Sequence, residues 1–248
     1  MAQSVERALQ VIGYLAESQR SLGDVAEFLG VHKSTALRLL QTLEAEGFAR
    51  RETASRYGIG FRVVTLAHLA LDNLDLFSIA HPHLVALASR LGSTFHLGQL
   101  IGSEVIYVDK VEGRGAVKMY SMVGRTASLY TSGLGKAVLA HVTGLLRNEM
   151  LDSIVYKKHT LTTITSRADL EKELSRIRTQ GWAEDNAEFE DFINCVAVPI
   201  SDSRGRVHGA LSMTAVRALT PLEELREHVP ELHAAAETIA KESGWART

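Results

Sequence analysis

The stretch VHKSTALRLLQTLE, residues 31–44, constrains this chain more than any other. Ala36, Leu37, Leu40 and Leu43 recur at three- and four-residue steps, so a helix here carries one apolar stripe for a core. Thr35, Arg38 and Thr42 fall on the opposite side, with Lys33 and Ser34 at the helix start. Ser34 is the expected N-cap, its hydroxyl accepting a backbone N–H that helix geometry leaves unpaired. A helix N-terminus bearing Lys, Ser and Thr, with an Arg one turn on, suits phosphate contact and the reading of base edges. A solvated surface helix has the same pattern, so the neighbouring segments decide.

Upstream, Val5, Ala8, Leu9, Ile12, Leu15 and Ala16 fit one helical face, with Ser4 as expected N-cap. Ser21 is placed to cap a second helix carrying Leu22, Val25, Ala26 and Leu29, which Gly30 stops. Two short helices joined by a tight turn containing Gly form a helix-turn-helix, whose second helix lies in the major groove of DNA. Downstream, residues 47–51 and 56–60 read as two short strands around the polar turn 52–55, a hairpin of the kind called a wing. Lys/Arg and Asp/Glu balance across residues 1–60, seven against seven. The cations nonetheless cluster: Lys33 and Arg38 on the third helix, and Arg50, Arg51 and Arg56 on the wing. The acids fall mostly on the first two helices and the far end of the third. Such segregation suits DNA, where phosphate contacts set the register and a few side chains read bases. The alternative is a helical protein-interaction module with an incidental hairpin.

Residues 61–77 read as a linker helix with Val63, Leu66, Ala67, Ala70 and Leu74 on one face. Such a face needs a partner, either a second copy of itself or the C-terminal half of its own chain; the symmetric dimer is the expectation. Beyond it a helix is expected over 79–91, strands over 94–101 and 104–111 with a tight turn at Gly102-Ser103, and a third strand over 116–121. Residues 132–136 lead into a helix over 137–141, an amphipathic helix spans 167–180, and strands cover 195–200 and 207–214. A final helix opens at Thr220-Pro221, is interrupted near Pro230 and runs to about Ser243. Strand pairs mixed with helices argue an α+β domain around a mostly antiparallel sheet. The expected division is 1–60, 61–77 and 78–248.

The chain has 248 residues, 46% of them hydrophobic and 23% charged, with a formal net charge of −2. A polyanion site must therefore be a local patch. A single cysteine excludes an internal disulfide and a multi-cysteine metal site. No run approaches the ~20 apolar residues of a membrane span, and the start has no signal-peptide core. A soluble protein of the reducing cytoplasm, with no metal and no cofactor, is the expectation.

No catalytic constellation assembles. Residues 133–136 lack the spacing and the Ser/Thr of a phosphate-binding loop. The histidines are scattered, Cys195 reads as a buried hydrophobe, and Glu184, Asp185, Glu188, Glu190 and Asp191 read largely as an acidic surface loop. Ser212 and Thr214 share one strand face and either line a small-molecule cavity or belong to a half-buried sheet with satisfied hydroxyls. An enzyme using Cys195 or Asp185, with a vestigial helix-turn-helix, is the rival reading.

In order and spacing, SVERALQVIGYLAE, VHKSTALRLLQTLEAEGF, RYGIG, AHPHLVALASRLGSTFHLG, VIYVDKV, YTSGLGKAVLA, TITS, CVAVPISDSRG and GALSMT resemble the IclR family of bacterial transcription regulators over essentially the whole chain. The resemblance implies a winged helix-turn-helix, a linker helix and a GAF-like effector-binding domain, in dimers or dimers of dimers on palindromic operators. It implies an effector pocket at Met119, Gly133, Leu134, Asp185, Ile193, Cys195, Ser212 and Thr214, occupied by a small organic acid. Similarity is greatest to the branch containing a 2-keto-3-deoxygluconate repressor, which implies a sugar-acid or keto-acid effector and control of a catabolic operon. Two positions depart from the family pattern: Phe192 stands where Gly is usual and is expected to reshape the pocket mouth, and Ala127-Ser128-Leu129 lacks a Pro. On this reading Ser34, Thr35 and Arg38 approach base edges, Lys33, Arg50, Arg51 and Arg56 hold phosphates, and no residue is catalytic.

Overall fold

Short amphipathic helices cannot bury their apolar stripes alone, and in the N-terminal unit three of them close on one small core. The computed structural model describes residues 3–53, 55–72, 75–114 and 119–245. It divides into two units, Met1–Asn73 and Leu74–Thr248. The first holds α1 (Gln3–Glu17), β1 (Arg20–Ser21), α2 (Leu22–Phe28), α3 (Lys33–Ala45), β2 (Ala49–Thr53), β3 (Arg56–Ile59) and α4 (Arg62–Asp72). Val11, Leu15, Val25, Ala36, Leu40 and Leu43 meet in its core, together with Ala49 and Tyr57 from the hairpin. Ser21 caps α2 in a reciprocal box: its Oγ accepts the Asp24 N–H at 3.2 Å, and the Asp24 carboxylate accepts the Ser21 N–H at 2.7 Å. The turn into α3 needs a positive φ, supplied by Gly30 at +61°.

Several details of this unit differ from the sequence reading. The N-cap of α3 is His32, whose extended backbone ends the turn and whose carbonyl accepts the Thr35 N–H; Ser34 sits inside the first turn. Ser4 likewise lies within α1. Val5, Leu9 and Ala16 are exposed while Val11 is fully buried, because a core of three short helices covers only one narrow stripe of α1. The two-residue β1 pairs antiparallel with β3 and was not foreseen.

The second unit begins with α5 (Asp75–Leu91), four residues earlier than the expected helix. Then come β4 (Thr94–Ile101), β5 (Glu104–Val111), α6 (Gly133–His141), α7 (Gly144–Asp152), α8 (Arg167–Gln180), β6 (Ala183–Asn186), β7 (Ile193–Ser201), β8 (Val207–Val216), α9 (Leu222–Glu227) and α10 (Val229–Glu242). The strands form one antiparallel sheet in the order β5-β4-β8-β7-β6. Alternation decides what each face carries. Phe95, Leu97, Val196, Val198, Leu211 and Met213 pack on one side with α5, α9 and α10. Ala197 and Ala210 pack on the other with Leu134, Val138, Leu170, Leu174 and Ile177 of α6 and α8. Of the expected third strand, residues 116–118 lie outside the described residues, and Met119, Tyr120 and Ser121 are irregular.

The start of α6 passes so near the preceding turn that a Cβ on Gly135 would stand 2.1 Å from the Ser128 carbonyl oxygen. Gly135→Ala is therefore expected to cost about 2 kcal/mol or more, read as a lowered midpoint in denaturant at unchanged slope.

Candidate functional site

Strand register builds one polar patch at the end of the sheet where α6 begins. Asp185 on β6 lies opposite Cys195 on β7, which lies opposite Thr214 on β8. One step along, Ser212 stands between Ala197 and His96 of β4. Here α6 starts, with Ser132 as N-cap: its Oγ accepts the Gly135 N–H at 3.0 Å and donates to the Ser128 carbonyl at 2.6 Å. The N–H groups of Gly133 and Leu134 have no partner within the helix, the usual state of a first turn. A Cβ on Gly133 would lie 3.0 Å from the Cys195 sulfur and 3.2 Å from the Ala197 Cβ, so glycine lets the helix start close to β7 without displacing either.

Between these elements lies a cavity of about 570 Å³, its solvent mouth included. Its wall includes all eight positions named from the family resemblance: Met119, Gly133, Leu134, Asp185, Ile193, Cys195, Ser212 and Thr214. It also includes His96, Tyr107, Tyr120, Ser121, Thr126, Ser128, Thr131, Ser132, Phe189 and Glu190, which sequence reasoning had not singled out for the site. The period-two alternation of 94–98 was the available signal for His96, since it puts Phe95 and Leu97 on one face and His96 on the other. Phe192 is not on the wall; Phe189 is, its ring packed at a tilt against Tyr120, 4.8 Å away, and His159, 4.6 Å away. The bulky residue at the site is thus three positions earlier than expected. The reason is the β6–β7 turn, which brings Phe189 over the cavity and leaves Phe192 40% exposed.

The acidic segment 184–191 is a surface loop only at its end, where Glu190 is half-buried and Asp191 exposed. Glu184 and Asp185 on β6, the sheet's edge strand, and Glu188 in the turn after it are buried. Glu184 is held by Arg226 and Arg176 at 3.0 and 3.2 Å. Glu188 receives the ammonium of the wholly buried Lys136 at 2.5 and 2.6 Å. The Asp185 carboxylate accepts the Glu188 N–H at 2.7 Å. Burial, reinforced by Glu188, raises Asp185 to about 7, against the opposing pull of Lys136 and that N–H. Burial also pushes the Cys195 thiol up to about 12, the range of an inert buried thiol rather than a nucleophile. Burial, with Lys110 adding, lowers His96 to about 3, so its ring is neutral. That ring bonds Ser121 at 2.8 Å and lies 3.4–3.5 Å from Thr214 and Ser212. Among the described residues no cluster fits a metal ion. The cavity can hold a small ligand with an anionic group and several oxygens; it has no activated nucleophile.

In the other unit, Lys33, Ser34, Thr35, Arg38 and Thr42 are exposed on α3. Among the described residues neither Lys33 nor Arg38 has a carboxylate partner. The exposed wing arginines are held in place. Arg50 pairs with Glu52 at 2.5 Å and lies over the Phe61 ring, Arg51 donates to the Tyr57 hydroxyl and sits 3.6 Å from Glu44, and Arg56 donates to the Gln19 carbonyl.

A winged helix-turn-helix joined in one chain to a domain with a ligand cavity defines a ligand-responsive, DNA-binding transcription regulator. The chain belongs to the IclR family: the IclR helix-turn-helix domain matches residues 4–53, and the bacterial transcriptional regulator IclR C-terminal domain matches residues 68–241. These are regulators, not enzymes. The HTH-type transcriptional regulator KdgR of Escherichia coli is 33% identical over 247 residues, covering 98% of this chain and 94% of that one. The crystal structure of the Thermotoga maritima IclR, 32% identical, superposes with a TM-score of 0.85 over 99% of this chain and 100% of its own. An IclR homologue complexed with 4-hydroxybenzoate from Microbacterium hydrocarbonoxydans, 23% identical, shares the fold at a TM-score of 0.83 over 97% and 99% of the two chains. No helix among the described residues is long and apolar enough to cross a membrane.

The raised Asp185 sets a pH dependence. Folded, the carboxyl keeps its proton up to about pH 7; unfolded, it loses it near 3.8. The stability it contributes is thus complete below about pH 4 and is lost as pH rises through 7. Asp185→Asn, neutral throughout, is expected to gain thermal stability relative to wild type, and the gain should grow from about pH 4 to about pH 7 and level off above it. Melting temperatures of both proteins across that range check it; a constant difference would contradict it.

Proposed function

We propose that this chain is a cytoplasmic repressor of a catabolic operon, bound as a homodimer or dimer of dimers to palindromic DNA and released or retained by a small sugar acid or keto acid. The observation that carries the effector half is the meeting of the α6 N-terminus with a wall of hydroxyls, Ser121, Thr126, Ser128, Thr131, Ser212 and Thr214. A carboxylate is favoured at unpaired helix N–H groups, and a hydroxyl-rich wall matches a polyhydroxylated chain. The likeness to KdgR supports the sugar-acid class, and the 4-hydroxybenzoate complex of a homologue of the same fold supports a small acid more generally. In this reading Met119, Gly133, Leu134, Asp185, Ile193, Cys195, Ser212 and Thr214 form the effector contacts. The proposed domain roles run 1–60 for DNA, 61–77 for the linker and 78–248 for the effector. The effector acts by binding one dimer arrangement better than the other, a coupling typically of ~1–3 kcal/mol.

A thermal-shift comparison of hexonates, hexuronates and 2-keto-3-deoxygluconate with 4-hydroxybenzoate tests this. A sugar acid is expected to raise the melting temperature and to change affinity for DNA from upstream of the chain's own gene. Stabilisation by the aromatic acid alone would overturn the assignment of class.

For DNA, Ser34, Thr35, Arg38 and Thr42 are assigned to the groove, and Lys33, Arg50, Arg51 and Arg56 to phosphates. Arg38→Ala is expected to cost about 1–3 kcal/mol on the operator and to relax sequence preference. Arg51→Ala should weaken operator and random DNA alike and reduce the salt slope by about 1. Binding isotherms on both DNAs at several salt concentrations decide it; equal losses on the two DNAs for both variants would end this division of roles.

A further inference from the structure

Thr131 is 1% exposed, lines the cavity, and has no hydrogen-bond partner for its Oγ1. Buried hydroxyls in folded proteins are nearly always paired, so an orphan on a cavity wall marks a place for a ligand atom. The other serine and threonine hydroxyls of that wall are engaged within the protein. Ser121, Ser212 and Thr214 are grouped around His96, Thr126 donates to Glu104, Ser128 accepts the Thr131 N–H, and Ser132 caps α6. Thr131 stands two residues before Gly133, whose N–H is free of intrahelical bonds. With consecutive Cα atoms about 3.8 Å apart, the two positions lie within about 8 Å of each other, the span of a carboxylate and the substituent on its neighbouring carbon with a hydrogen bond at each end.

The geometry points to Thr131 as the residue that reads the oxygen on the carbon next to the effector's carboxylate, selecting 2-hydroxy and 2-keto sugar acids over 2-deoxy ones. This rests on the carboxylate lying at the α6 N-terminus, as proposed above. A threonine hydroxyl both donates and accepts, so it serves a keto oxygen and a hydroxyl equally. A 2-deoxy acid leaves Thr131 buried and unpaired, and the site then loses affinity where it would have gained it.

The test is calorimetric titration of the full chain with D-gluconate, 2-keto-D-gluconate and 2-deoxy-D-gluconate, on wild type, Thr131→Val and Thr131→Ser. Wild type is expected to bind at least one of the 2-oxygenated acids about tenfold more tightly than the 2-deoxy acid. The Val variant should lose that preference without loss toward the 2-deoxy acid, and Ser should restore it. Without ligand, the Val variant should melt no lower than wild type, because the deleted hydroxyl has no protein partner. A preference that survives in the Val variant, an equal loss toward all three acids, or a lower melting temperature without ligand would each overturn the assignment to Thr131 while leaving acid binding in place. Wild type that binds none of the three would overturn the assignment to Thr131; the acid-sensing reading falls with it only if the thermal-shift panel of hexuronates and 2-keto-3-deoxygluconate also fails.

Discussion

The close seating of one short helix on a sheet decides most of what the larger unit can do. α6 starts where Gly133 lies against Cys195 and Gly135 passes under the Ser128 carbonyl; a Cβ would be tight at the first and would collide with backbone at the second. Its first turn therefore lies against the sheet, and its unpaired N–H groups face the same space as the polar strand residues. A larger residue at either glycine would push the helix start outward and widen the pocket between it and the sheet. Further along α6, Leu134, Val138 and Leu139 are wholly buried, so the apolar part of the helix fixes the position of its polar start.

How much of this was legible in the sequence depended on whether the signal was local. The 3.6-residue pattern of 167–180 and the alternation of 94–101 and 104–111 fix elements without reference to anything distant, and those boundaries agree with the structure to the residue. β6 was invisible for the converse reason. Ala183-Glu-Asp-Asn carries no β-branched or aromatic residue, and its burial depends on cations from other elements, Arg176, Arg226 and Lys136. His96 reads as one of several scattered histidines until the β4–β8 register places it beside Ser212. Family resemblance supplied the eight cavity positions that period and spacing could not assemble, but it could not tell that Phe189 rather than Phe192 reaches the wall. That difference lies in the path of a turn, which no pattern rule predicts.

The buried charges beneath the cavity form a graded set rather than a simple pair. Lys136 neutralises Glu188, Glu188 gives its N–H to Asp185, and Asp185 faces the cavity close to Tyr107 and Cys195. Burial first, and the neighbouring Glu188 second, outweigh the pull of Lys136, so Asp185 keeps its proton up to about pH 7. A protonated Asp185 can donate a hydrogen bond to a ligand oxygen and does not repel a bound carboxylate. An ionised one would oppose the attraction of the helix N-terminus on the same cavity wall. The electrostatics of an anion site and of a buried acid are compatible only because burial raises the acid.

In the DNA-reading unit, the cations divide by whether they are already engaged. Arg50, Arg51 and Arg56 each hold an internal partner, so a phosphate must replace a carboxylate, a hydroxyl or a carbonyl, and the net gain is the difference between the two interactions. The compensation is order: side chains stacked on Phe61 and Tyr57 are held near one geometry and give up less freedom on binding. Lys33 and Arg38 make the opposite trade, since they keep their full charge for DNA but must be ordered by it. On the proposed assignment, such a head would draw its register from the wing and its discrimination from α3. Because its total charge is balanced, the proposed binding would rest on a few contacts, which a coupling of ~1–3 kcal/mol from an effector could shift.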